Sequence, residues 1–141
     1  MSNCVVWKVR RAARVLTRLY DEALAPCDLT STQLGTLDAL SDMGPSALTA
    51  LAEAGGHERS ATWRGLQPLI RRGLVRQTPG PSRPALYEIT PAGADLLTTA
   101  LGHWRVIQDR IVAELGENVD HLSAMVEQLD ALERQPRNAA A

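Results

Sequence analysis

Between His57 and Arg83 the chain carries Arg59, Arg64, Arg71, Arg72, Arg76 and Arg83 against Glu58 alone. A guanidinium is always charged, and its planar fork donates hydrogen bonds in pairs to phosphate oxygens or to acceptors on a base edge. Their spacing matters as much as their number. In the stretch ERSATWRGLQPLIRRGLV (58–75), a helical step of about 100° per residue places Thr62, Leu66, Leu69 and Ile70 on one arc, with Trp63 at its edge. Ser60, Arg64, Gln67 and Arg71 fall at i, i+4, i+7 and i+11 and form a row on the opposite side. By itself such a row is ordinarily a solvated face. Its setting gives it a partner: residues 28–56 hold four acids and no Lys or Arg, and residues 91–141 hold eight acids against four arginines. The net charge is −1, but the concentrated positive segment makes a local field that steers a polyanion.

Other chemistries lack support. His57, His103 and His121 have no ligand-like spacing with one another, with cysteine or with acid pairs, so no metal site is expected. There is no nucleophile–base constellation and no glycine loop of the phosphate-cradling kind, which speaks against an enzyme and against a cofactor. Cys4 and Cys27 make no disulfide framework, and no run of about 18 apolar residues is present. A cytoplasmic protein with no membrane segment is the expectation.

The positioning elements follow from the same pattern. A chain of 141 residues, 45% apolar and without Phe, suits one mainly helical domain. Apolar residues at Val5, Val9, Ala12, Leu16, Leu19 and Ala23 mark a first helix that ends at Pro26. Thr30 and Gln33 have capping-box spacing for a second helix. Ser46 is the expected cap of a short helix over 47–54, and Gly55-Gly56 turns the chain into the arginine-bearing helix. Two helices joined by a tight glycine turn are a helix-turn-helix. LVRQT, the loop PGPSRP and ALYEIT then read as a β-hairpin, a wing. Thr90-Pro91 starts a long helix with an apolar stripe from Leu96 to Leu115, broken at Gly116, and a last amphipathic helix runs from Val119 through Leu132. Pro68 predicts a bend in the arginine-bearing helix, and Trp63 reads as the rim of a core.

RRAARVLTRLYDEALAP, LTSTQLGTLDAL, RRGLV and ITPAG together resemble the MarR family of winged-helix transcriptional regulators over nearly the whole chain. The fold class expected is therefore mainly α with a small β-hairpin wing. Residues 28–92 would form the winged-helix core, 4–25 and 93–134 the dimerisation helices, and 135–141 a tail. The resemblance implies a homodimer that presents two modules to a palindromic operator in double-stranded DNA. The terminal helices agree, since they carry more apolar surface than three short central helices can cover. On this reading Arg64 donates bidentately to a guanine and Gln67 to an adenine, Ser60 meets a phosphate with the helix N-terminus, and Arg71 and Arg72 anchor phosphates. Arg83, at the loop tip, would enter the minor groove by analogy with the family. Here Pro81-Ser82-Arg83 stands where many members have Asp-Arg-Arg, Glu58 stands where a capping Asp is common, and Trp63 replaces a small polar residue.

Two release routes are implied, a small-molecule effector or thiol oxidation. Trp7, Arg14, His103 and Trp104 are the candidate lining of an effector pocket between the dimer helices and the winged module. Cys4, one turn before Lys8, would resemble the oxidation-sensing branch, its alternative being an inert small hydrophobe at a helix end. About 30 Å of helix separates Cys4 from Cys27, which excludes a bridge within one chain. The competing function is a winged-helix dimer that has lost operator binding and serves as a ligand-binding or protein-interaction module.

Overall fold

The computed structural model describes residues 4–79 and 84–135. Helix α1 spans Val5–Leu24 and passes through a single 3-10 turn, Ala25–Cys27, into α2, Ser31–Met43. Strand β1 (Ser46–Ala47), α3 (Leu48–Gly55) and α4 (Arg59–Arg71) follow, then the wing strands β2 (Val75–Thr78) and β3 (Leu86–Ile89), and finally α5 (Pro91–Leu115) and α6 (Asn118–Glu133).

Helix α2 starts where the sequence places it. The Thr30 hydroxyl accepts from the Gln33 N–H at 3.2 Å, and the Thr30 N–H donates to the Gln33 side-chain oxygen at 3.0 Å. Two N–H groups without intrahelical partners are thereby satisfied. Leu34, Leu37 and Leu40 turn inward to meet Leu24, Leu51, Leu66, Leu69, Val75, Tyr87 and Leu97 in one core.

The start of α3 departs from expectation. Ser46 is not a helix cap; it is extended and pairs with Tyr87, so the sheet has three antiparallel strands in the order β1-β3-β2. The outer edge of β3 offers ladder hydrogen bonds that the wing hairpin alone would leave open, and residues 46–47 take them. Ser46 is buried, with its hydroxyl donating to the Gly44 carbonyl at 2.9 Å, and α3 begins two residues later on Ala47 with no side-chain cap.

Two compact units divide the chain, one extending to Ile107 and one from Gln108 onward. The core belongs to the first. In the second, Gly116 adopts φ 54° between α5 and α6, and no residue of α6 is buried.

Candidate DNA-reading surface

Helix α4 is held from three directions. Before it, Gly56 adopts φ 61°, a left-handed conformation that costs glycine little, and reverses the chain out of α3. Along it, Thr62, Leu66 and Leu69 are buried, and the Thr62 hydroxyl donates to the Glu58 carbonyl at 3.1 Å. Glu58 occupies the N-cap position without a side-chain cap bond, as its length suggests. The helix continues through Pro68 without interruption to Arg71, although proline supplies no N–H to the carbonyl of Arg64.

After α4 the chain is tied to α5 through one hydroxyl. Thr90 Oγ1 donates to the Gly73 carbonyl at 2.6 Å and accepts from the Gly93 N–H at 3.1 Å, while the Thr90 N–H donates to the Leu74 carbonyl at 3.0 Å. Gly93 is buried so tightly that a Cβ there would lie 2.2 Å from the Leu74 carbonyl oxygen. The RRGLV and ITPAG motifs are thus two sides of one joint.

The row predicted on α4 is present on its outer side, with Ser60, Arg64 and Arg71 exposed and Gln67 half-buried. Arg59, Arg64 and Arg71 form no ion pair with any described residue. Two other arginines of the segment are engaged. Arg76 faces Glu88 across the β2–β3 ladder, with Nε 2.8 Å and Nη2 2.7 Å from the same carboxylate oxygen. Arg72, expected to anchor phosphate, is occupied within the fold. Its guanidinium donates to the carbonyls of Asp28 and Cys27, the latter at 3.1 Å. Asp28 is left-handed there (φ 51°), so its carbonyl and that of Cys27 end a 3-10 turn and need donors. Arg72 supplies them and ties the end of α4 to the corner between α1 and α2.

Trp63 is a correction. It is 48% exposed and is not among the residues packed on the core. Thr62 takes the inward position, and Trp63 lies one helical step round from it. Trp63 lines an open concavity of about 800 Å³ with Leu48, Glu58, Arg59, Ser60 and Arg64. Arg59 was also missed, because it precedes the row by one residue. Arg83, with Pro81 and Ser82, lies outside the described residues.

The four candidate effector residues do not line one cavity. Trp104 is half-buried against the core and, with Tyr20, Ser31, Leu34, Gly35, Asp38 and Leu101, encloses about 390 Å³. Burial raises the Tyr20 phenol above its ordinary value. Arg14 lines a separate, shallow concavity along α1; Trp7 is exposed, with the Arg10 guanidinium 6.0 Å from its ring; and His103 is half-buried. Cys4 is half-buried at the N-cap of α1, and Cys27 is buried in the core. Among the described residues no group of three or more His, Cys, Asp or Glu is placed to hold a metal, and no helix is long and apolar enough to cross a membrane.

A helix-turn-helix followed by an antiparallel wing, with unpaired guanidiniums on its second helix, defines a winged-helix DNA-binding protein. A family model described as MarR family matches residues 28–83. The chain is 33% identical over 128 residues to the HTH-type transcriptional repressor NicR of Pseudomonas putida, covering 87% of this chain and 80% of that protein. It is also similar to the M. tuberculosis transcriptional regulator MosR, with TM-score 0.83, 32% identity and coverage of 94% of this chain and 98% of that one. The MosR structure in complex with DNA gives TM-score 0.81 and 35% identity, over 94% and 100% of the two chains. This chain belongs to the MarR family of transcriptional regulators and is not an enzyme.

Proposed function

We propose that this protein is a dimeric, operator-binding repressor of the cytoplasm whose α4 reads the major groove. The observation that carries the reading is the row Ser60, Arg64, Gln67 and Arg71, turned outward by the burial of Thr62, Leu66 and Leu69. Arg64 lies in the N-terminal half of α4 and Gln67 just beyond it, the two candidates for base edges, and Ser60 and Arg71 flank them toward the helix ends as candidates for phosphate. Arg72 is better assigned to holding α4 in place than to gripping phosphate. Arg83 is left as the minor-groove contact of the wing.

Residues 28–92 form the reading module in this proposal, and 4–25 with 93–134 join two copies. Exposed Val5, Val6 and Trp7 on α1 and Leu122, Val126, Leu129 and Leu132 on α6 support it, since each is apolar area that a second copy would cover. Two copies place two α4 helices on half-sites about 34 Å apart, hence a palindromic operator. The repressive sign of regulation is supported by the likeness to NicR. For release, the cavity bounded by Tyr20 and Trp104 has the size and aromatic wall of a small-ligand site, and oxidation of Cys4 is the second route.

A gel-shift titration against DNA flanking the protein's own gene tests the reading. Specific binding that weakens steeply with added salt is expected, because neutralised phosphates release counterions. Absent or salt-insensitive binding would instead favour the module that has lost its operator. In the same assay Arg64→Ala is expected to relax preference at one base position, at a cost of about 1–3 kcal/mol.

A further inference from the structure

We propose that Trp63 contacts the C5-methyl group of a thymine in the major groove and so sets sequence preference at a position that the hydrogen-bonding residues of α4 do not read. The inference rests on the operator-binding reading above and adds a specificity-determining residue to it.

Trp63 lies in the N-terminal half of α4, the half that approaches base edges when such a helix enters the groove. Arg59 and Ser60 precede it by one turn, Gln67 follows it by one turn, and Arg64 is its neighbour in sequence. It therefore lies on the flank of α4 between the reading row and the buried arc of Thr62, Leu66 and Leu69, and is the exposed apolar residue that borders the row. It lines the concavity with Leu48, Glu58, Arg59, Ser60 and Arg64, two arginines against one acid.

An indole left in water calls for cover, and the surroundings decide what kind. Arg59, Arg64 and Arg71 form no ion pair among the described residues. A protein partner laying an apolar face on Trp63 would strip water from these guanidiniums without replacing it. A DNA duplex neutralises them with phosphate and also presents an apolar group of its own, since the thymine methyl stands in the major groove beside an O4 acceptor. The other groups that the base pairs present there are hydrogen-bond donors and acceptors, which the arginine, glutamine and serine side chains serve.

The methyl can be removed without touching the hydrogen-bonding edges by copying the DNA flanking the gene with deoxyuridine in place of thymidine. Affinities of the full-length wild type, Trp63→Ala and Trp63→Phe are then measured on both DNAs, with melting curves to show that each variant is folded. The wild type should bind uridine DNA about four- to fivefold more weakly, the worth of one buried methyl. Trp63→Ala should bind thymidine DNA weakly and be indifferent to the exchange, whereas Trp63→Phe, which keeps an apolar ring, should still discriminate. If Trp63→Ala discriminates as strongly as the wild type, or the wild type does not discriminate, the role of Trp63 is overturned and operator binding stands. If the wild type binds neither DNA, the operator reading itself has failed.

Discussion

Helices α2 and α6 carry apolar residues at similar helical spacing, yet Leu34, Leu37 and Leu40 of α2 are buried while Leu122, Val126, Leu129 and Leu132 of α6 are exposed. An amphipathic stripe states that a face needs cover; it does not say which surface provides it. For α2 the cover is local, from α3, α4 and the sheet. Within α6 no residue is buried among the described residues. One stripe is consumed in the core of its own chain, and on the proposed reading the other waits for a second copy.

The contrast can be broken most directly at its centres. Leu37→Ala, at a fully buried position, should lower stability by about 2–5 kcal/mol and leave the monomer–dimer equilibrium unchanged. Leu129→Ala should do the reverse, shifting sedimentation toward monomer as the protein is diluted. Equal, concentration-independent losses for both variants would mean that α6 is covered within its own chain. Next in size, Gly93→Ala forces a methyl against the Leu74 carbonyl, and a backbone oxygen cannot retreat as a side-chain tip can. A loss of about 1–3 kcal/mol in denaturant titrations is expected. Thr30→Ala removes half the capping box of α2 and should cost about 1 kcal/mol. The smallest effect belongs to Arg76→Gln, which breaks an exposed pair with Glu88 worth below about 1 kcal/mol by thermal melting.

Local chemistry was legible in the sequence, and distant partners were not. The capping box of α2, the glycine turn before α4, the wing strands and the Thr90-Pro91 start of α5 each rest on residues a few positions apart, and each appears in the structure. Strand β1 is two residues long and has no alternation to detect; it exists because β3 passes by, some 40 positions later. Arg72 looked like its neighbours because the carbonyls it serves, on Cys27 and Asp28, lie 45 and 44 residues away. A helical wheel put Trp63 at the edge of the apolar arc, but whether another element reaches over that edge is a tertiary fact. Likewise Trp104 was singled out without Tyr20 and Asp38, which only the packing of α1 and α2 beside α5 brings to it. The outward row on α4 was readable for the opposite reason: its partner is solvent, and no distant residue had to be guessed.

The Thr90 hydroxyl serves two masters, the first turn of α5 and the carbonyl of Gly73 just past α4. Exchange for valine, nearly the same shape, would silence both at once. If the protein is the repressor proposed above, a genetic screen for lost repression should then recover positions 90 and 93 alongside position 64, with identical phenotypes. Only heat would tell them apart: the joint variants would soften on warming, and the arginine variant would not.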